Sequence, residues 1–205
     1  QAACLRAYDA GRAGGLPVVN SVTEHRWDML ELAAIAPFRM LFMVSERLEG
    51  GRVQANRSAA DIHRTAQRMA ERARARGWSN DQLIVDVSVG PMASDTEGIT
   101  ARALAAIRAI GADPGLRGVH MSVGLSNLSI MLPKQASDGR PLGLRLENAF
   151  LSEAVPAGLD MVLGTPWRAY GWLDEADPVR QGFRRFCTAE DPCDALEELQ
   201  ELYAA

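Results

Sequence analysis

The chain has 205 residues, 47% of them apolar and 23% charged, with a formal net charge of −4. That is the composition of a soluble globular protein with enough chain for one domain and a sizeable core. It offers no electrostatic footprint for nucleic acid and no apolar run long enough to cross a membrane.

The chain opens in mid-element: residues 1–12 read as the end of a helix, stopped by Gly14-Gly15. Residues 16–22 (LPVVNSV) form a short buried strand carrying Asn20 near its end. An amphipathic helix over 25–35 follows, broken by Pro37, and then a strand over 38–44 (FRMLFMV). Residues 45–56, with Gly50-Gly51, read as a loop long enough to reach over a site. Residues 58–76 form a strong helix with Ser58 as N-cap and Asp61 three residues on, ended by Gly77. Its arginines share the helix with Asp61 and Glu71, which makes a solvated face rather than a phosphate site.

Residues 82–89 (QLIVDVSV) read as a strand with Asp86 in its middle, closed by Gly90-Pro91. A helix over 96–110 and a loop over 111–118 lead to the strand 119–125. That strand delivers Ser126, Asn127 and Ser129 where it gives way to a loop. Small polar groups there are either an ordinary turn or the ligand end of an α/β sheet. A polar loop over 134–141, a helix over 144–157 bent or ended by Pro156, and a strand over 158–164 follow. The remaining stretch, 166–205, is a helical tail, with helices over 179–186 and 194–204. Trp167, Tyr170 and Trp172 precede those helices; they cover the mouth of the fold or pack the tail, and packing is the preferred reading.

Strands alternating with helices predict parallel βα units in an α/β protein. Five strands, centred near Val19, Leu41, Val85, Val123 and Met161, suit an open doubly wound sheet or part of a barrel. No glycine-rich phosphate fingerprint follows the first strand.

Asp86 carries the clearest chemical signal. A carboxylate inside an apolar strand costs several kcal/mol unless it is paired, so it either caps a strand end or accepts two N–H bonds from a guanidine-like ligand edge. Asn20 and Asn127 occupy similar places, and amides both donate and accept, which suits a heterocycle. His25, His63 and His120 do not share an element and make no metal triad. Ser126 and Ser129 lack a nucleophile elbow. Met40, Met43, Met121 and Met131 read as core fillers. Cys4, Cys187 and Cys193, odd in number and without metal-ligand spacing, point with the absence of a recognisable leader to reduced thiols in the cytoplasm.

Several of these stretches together resemble the folate-dependent corrinoid methyltransferases. This group includes the methyltetrahydrofolate:corrinoid/iron–sulfur protein methyltransferases and the folate domain of cobalamin-dependent methionine synthase. The matching residues are Val119 to Pro133, with Gly124-Leu125-Ser126-Asn127-Leu128-Ser129 at their centre, then Arg140-Pro141-Leu142, Glu147-Asn148-Ala149-Phe150-Leu151 and Ala157-Gly158-Leu159-Asp160. Val19-Asn20-Ser21 and Ile84-Val85-Asp86 resemble two earlier strands of the family, with Val87 where the family often has Pro. The resemblance runs to about Thr165.

It implies a pterin-binding (βα)8 TIM-barrel fold of which this chain holds strands four to eight, as a single domain over 1–205 that is N-terminally incomplete. Five parallel strands cannot close such a barrel. The expectation is therefore two open sheet edges, at the Val19 and Met161 strands, covered by a complementary N-terminal segment or chain or by a neighbouring copy in a homo-oligomer. The implied reaction belongs to one-carbon metabolism: methyl transfer from methyltetrahydrofolate to a corrinoid (cobalamin) carried by a partner protein. Asn20, Asp86 and Ser126 are the implied substrate-binding residues, and Asn127, near N5 of the pterin, is both a binding and the catalytic residue. The alternatives are a pterin-binding subunit without turnover and a dihydropteroate-synthase-like enzyme; the latter's seventh-strand lysine has no counterpart in Gly124 to Asn127.

Overall fold

The computed structural model describes residues 1–203. Its strands are β1 (Val18–Val22), β2 (Arg39–Met43), β3 (Glu46–Glu49), β4 (Arg52–Ala55), β5 (Leu83–Asp86), β6 (His120–Gly124) and β7 (Met161–Leu163). Its helices are α1 (Ala2–Ala7), α2 (Ala10–Ala13), α3 (Ala59–Arg74), α4 (Ile99–Gly111), α5 (Leu142–Ala154), α6 (Pro178–Thr188) and α7 (Pro192–Glu201). All five expected strands are present, in the order β1-β2-β5-β6-β7, and the pairings β1–β2, β2–β5 and β6–β7 are parallel. This is the parallel α/β arrangement of a partial barrel. The last residue expected of the tail helix, Ala204, lies outside the described residues.

Chain contacts divide the protein into two compact units, one formed by residues 1–87 and 113–121, the other by 88–112 and 122–205. In the first unit, Met40, Phe42, Leu83, Ile84 and Val85 are fully buried, as a strand run of apolar residues requires. α3 presents Ile62, Ala66, Met69, Ala70 and Ala73 inward at helical spacing. Each large apolar side chain so buried contributes about 1.5–3 kcal/mol. Ser58 accepts from the Asp61 amide at 3.1 Å, the cap that the sequence predicts. The arginine face is solvated and paired: Arg64 bonds Asp61, Arg68 bonds Glu24, and Arg72 lies 4.4 Å over the Trp27 ring.

Three local expectations give way here. The helix start is two pieces, because Asp9 leaves α1 and caps α2 through the Arg12 amide. Residues Trp27–Ala34 form a 3-10 helix rather than an α-helix; the segment is short, and Pro37 denies α-helical geometry to Ala36. The expected loop over 45–56 is a hairpin, β3 pairing β4 with Glu49 opposite Arg52. Gly50 and Gly51 both have positive φ, 56° and 77°, the two-residue turn whose twist matches that of the strands. Asn56, buried, fixes its base by donating to the Val44 carbonyl and to Thr65 Oγ1, both at 2.9 Å.

In the second unit, α4 is capped by the buried Asp95, whose two oxygens accept from Ile99 and Thr100 at 2.7 and 2.8 Å. α5 is buried along nearly its whole length. It packs on α6, with Phe150 and Phe183 edge to face. α6 and α7 are amphipathic and close on each other; a Cβ on Gly182 would come 2.7 Å from Leu202.

Candidate functional site

Within the first unit, β5 runs from three fully buried apolar residues to Asp86, which is its last residue and 8% exposed. The sequence reading placed Asp86 in mid-strand. The strand stops early because Ser88, two residues on, takes a left-handed φ of 57° that no strand accommodates. Asp86 is thus at the carboxyl end of a parallel strand, where α/β folds place ligand-binding groups. Its main chain is locked: Asp86 pairs with Met43, and its carbonyl accepts from the Val44 amide at 3.2 Å.

Asn20 lies on the edge strand β1, exposed, opposite Leu41, which is in turn opposite Ile84. Residues level in a parallel sheet share a face, and so do residues two apart on one strand. Asn20 and Asp86 are therefore on the same face, one strand apart, toward the same end of the sheet. The Asn20 carbonyl accepts from Gln1 Nε2 at 2.7 Å, and the Asn20–Ser21 peptide is cis.

Within the second unit, β6 ends at Gly124 and passes at once into the 3-10 turn Leu125–Ser129. Side chains three apart eclipse in such a turn. Leu125 and Leu128 are both fully buried, which leaves Ser126 half-buried and Asn127 exposed. The Asn127 amide folds back over the end of the strand. A Cβ on Gly124 would lie 2.9 Å from Asn127 Nδ2, so any larger residue there displaces that amide. β7 is in register with β6, Gly124 level with Leu163, and the two following loops leave from the same end.

α5 holds those loops with polar side chains that are buried. Glu147, fully buried, accepts from Ser129 Oγ at 2.5 Å and pairs with Arg168. Asn148 Oδ1 accepts from the Gly171 amide at 3.1 Å, and Ser152 Oγ from the Leu173 amide at 3.0 Å. Arg145 bonds Asp138 at 2.7 Å and Asp177 at 3.0 Å. In the sequence Glu147 and Asn148 stand at the head of the Glu147-Asn148-Ala149-Phe150-Leu151 motif, and the pattern alone assigns neither a role. The visible signal was a run of polar residues on a helix otherwise apolar on every side.

The two tryptophans do not pack the tail, since Trp167 is 85% and Trp172 66% exposed, whereas Tyr170 is half-buried and its hydroxyl accepts from the Thr165 amide at 2.9 Å. Met131 is not a core filler either; it is 73% exposed, and its φ of 67° is rare for a non-glycine residue. Met40 and Met121 are buried as expected. The three cysteines are free thiols. No group of three or more His, Cys, Asp or Glu among the described residues is placed to hold a metal ion, and no helix among them is long and apolar enough to cross a membrane.

The predicted site residues therefore fall into two groups, Asn20 with Asp86 in the first unit and Ser126 with Asn127 in the second. Strands of a parallel α/β sheet that end in carboxylate or amide side chains are the pattern of the barrel-type α/β enzymes. Residues 3–163 match the model of the pterin binding enzymes, and the chain belongs to that family, which includes the methyltetrahydrofolate:corrinoid methyltransferase domains. No curated protein matches the chain.

Proposed function

We propose that this chain transfers the N5-methyl group of methyltetrahydrofolate to the cobalt of a corrinoid carried by a separate protein. The observation that carries the reading is the Leu125–Ser129 turn, which sets the Asn127 amide at the end of β6 in a pterin-binding enzyme. Gly124 to Asn127 contains no lysine, which argues against dihydropteroate synthesis.

In this reaction the N5–methyl bond breaks as a cobalt–carbon bond forms, and Co(I) supplies the electron pair. N5 leaves well only as a neutral amine, so it must be protonated before or during displacement. Asn127 has no useful titration and is not the acid. Its carbonyl accepts the N–H of protonated N5, or holds a water that relays the proton, and this bond strengthens as charge develops. Asp86 accepts two N–H bonds from the pterin edge, and Asn20 adds an amide contact there. Ser126 contributes a hydroxyl beside Asn127. Their contribution is orientation, which lowers the barrier by proximity. The second substrate is a macrocycle on another protein. Exposed Ile130, Met131 and Trp167 support an apolar docking surface on the loops after β6 and β7.

A second reading is a pterin-binding subunit without turnover. It rests on the exposed apolar residues of the edge strands, Val18 on β1 and Val162 and Leu163 on β7, which a complementary segment or a second copy would cover. Titration with methyltetrahydrofolate, followed by exposure of the loaded protein to free cob(I)alamin, separates them. Methyl transfer supports the first reading; binding without transfer supports the second.

A further inference from the structure

We propose that Glu147 and Arg168 form a latch that fixes the Leu125–Ser129 turn and so positions the Asn127 amide; its catalytic consequence rests on the methyl-transfer reading above. The backbone bonds at and just past the end of the turn, Ile130 N to the Asn127 carbonyl and Leu132 N to the Ser129 carbonyl, are long at 3.3 and 3.4 Å. The last residue of the turn is also held from outside. Ser129 Oγ donates to Glu147 Oε1 at 2.5 Å and lies 3.3 Å from the Ser126 carbonyl at the other end of the turn. Arg168 Nη1 bonds the same Glu147 oxygen and approaches Ser129 Oγ at 3.5 Å. Gly143 makes room, since a Cβ there would lie 2.9 Å from Ser129 Cβ.

Stability does not account for this carboxylate. Glu147 is fully buried, and its Oε2 has no hydrogen-bond partner, an arrangement that costs free energy which an apolar residue of the same shape would not. What a carboxylate supplies, and an amide of the same shape does not, is a charged oxygen that pairs with the guanidinium while also taking the hydroxyl. Arg168 is itself held in place. Its neighbours Gly171 and Leu173 are tied by their amides to Asn148 and Ser152, on the helix that carries Glu147. Arg168 also lies beyond residue 163, where the family match ends. The stretch after β7 is thus a strap that reaches the turn after β6, and Glu147 and Arg168 are positioning residues.

Amide hydrogen exchange on the full chain without ligand tests the latch directly. Glu147→Gln and Arg168→Met should each speed exchange over residues 125–132 by about tenfold or more, with β6 and α5 unchanged, and Arg168→Lys should restore most of the protection. Arg168→Met leaves the buried Glu147 carboxylate without its cation, so the double variant Glu147→Gln/Arg168→Met, which buries no charge, is measured beside it and should show the same faster exchange over 125–132. Unchanged exchange over 125–132 in folded Arg168→Met overturns the latch. In single-turnover assays the same variants should lose about tenfold or more in transfer rate, with less than about threefold change in methyltetrahydrofolate Kd. Faster exchange with an undiminished rate overturns the positioning role. A wild-type protein that transfers no methyl group sinks the methyl-transfer reading alone, because the exchange result still decides the latch.

Discussion

Replacing Asp86 by Asn should weaken methyltetrahydrofolate binding while leaving the fold intact. The substitution is nearly isosteric, and the strand around it is held by main-chain bonds. Asp86 is the terminal residue of β5, its carbonyl is fixed by the Val44 amide, and its neighbours Val85 and Val87 are buried. Nothing in the strand pairing involves the side chain. What changes is the acceptor. A carboxylate takes two N–H bonds from a guanidine-like edge, whereas an amide turns one N–H toward that edge and leaves a donor facing a donor. A charge-assisted contact of this kind contributes about 1.5–3 kcal/mol, which is roughly a 10- to 150-fold rise in Kd. Titration calorimetry with methyltetrahydrofolate measures it, with circular dichroism and the urea midpoint as controls for folding. An unchanged Kd in a correctly folded Asp86→Asn variant refutes the assignment of Asp86 to the pterin.

Asn127→Ala should lower the single-turnover rate by about 10- to 100-fold with less than about threefold change in Kd, because its bond strengthens only as N5 gains charge. Equal losses in binding and rate would make Asn127 a binding group alone. Burial by itself pushes the Glu153 carboxyl up, but bonds from Arg180 Nε at 2.9 Å and Arg184 Nε at 2.8 Å outweigh it and hold the group below its ordinary range. A depressed carboxyl stabilises the fold above the unfolded carboxylate range and ceases to do so as pH falls through its folded value. Urea unfolding should therefore show Glu153→Gln about 1–2 kcal/mol less stable at pH 7, with the difference shrinking in acid; a gap that persists undiminished to about pH 3 contradicts the pairing.

Much of the scaffold was legible because it rests on local pattern. The five strands of the sheet announce themselves as short apolar runs, and Ser58 with Asp61 marks the start of α3. Strand ends were harder. Val87 and Val89 extend the apolar alternation past Asp86, and only the left-handed Ser88 breaks it, which no side-chain pattern reveals. The hairpin was missed because β4 is exposed at every residue and so carries no apolar alternation, although Gly50-Gly51 is a hairpin turn in plain view. Met131, Trp167 and Trp172 were misplaced for the opposite reason. Apolar residue types are read as core by default, yet these three face solvent. Asn20, Asp86, Ser126 and Asn127 were nominated by their places near strand ends and by motifs. The Glu147–Arg168 pair was not, because the two residues are 21 apart and meet only through tertiary structure.

The most direct test of the proposed activity is a single-turnover reaction of the full chain, loaded with methyltetrahydrofolate, against free cob(I)alamin. Absorbance follows the loss of Co(I) and the appearance of the methylated product, and the folate is recovered and analysed. Stoichiometric demethylation of the folate, matched by methylcobalt formation and slowed in Asn127→Ala, is the predicted result. Binding of methyltetrahydrofolate with no methyl reaching cobalt above the rate of the protein-free control would contradict it.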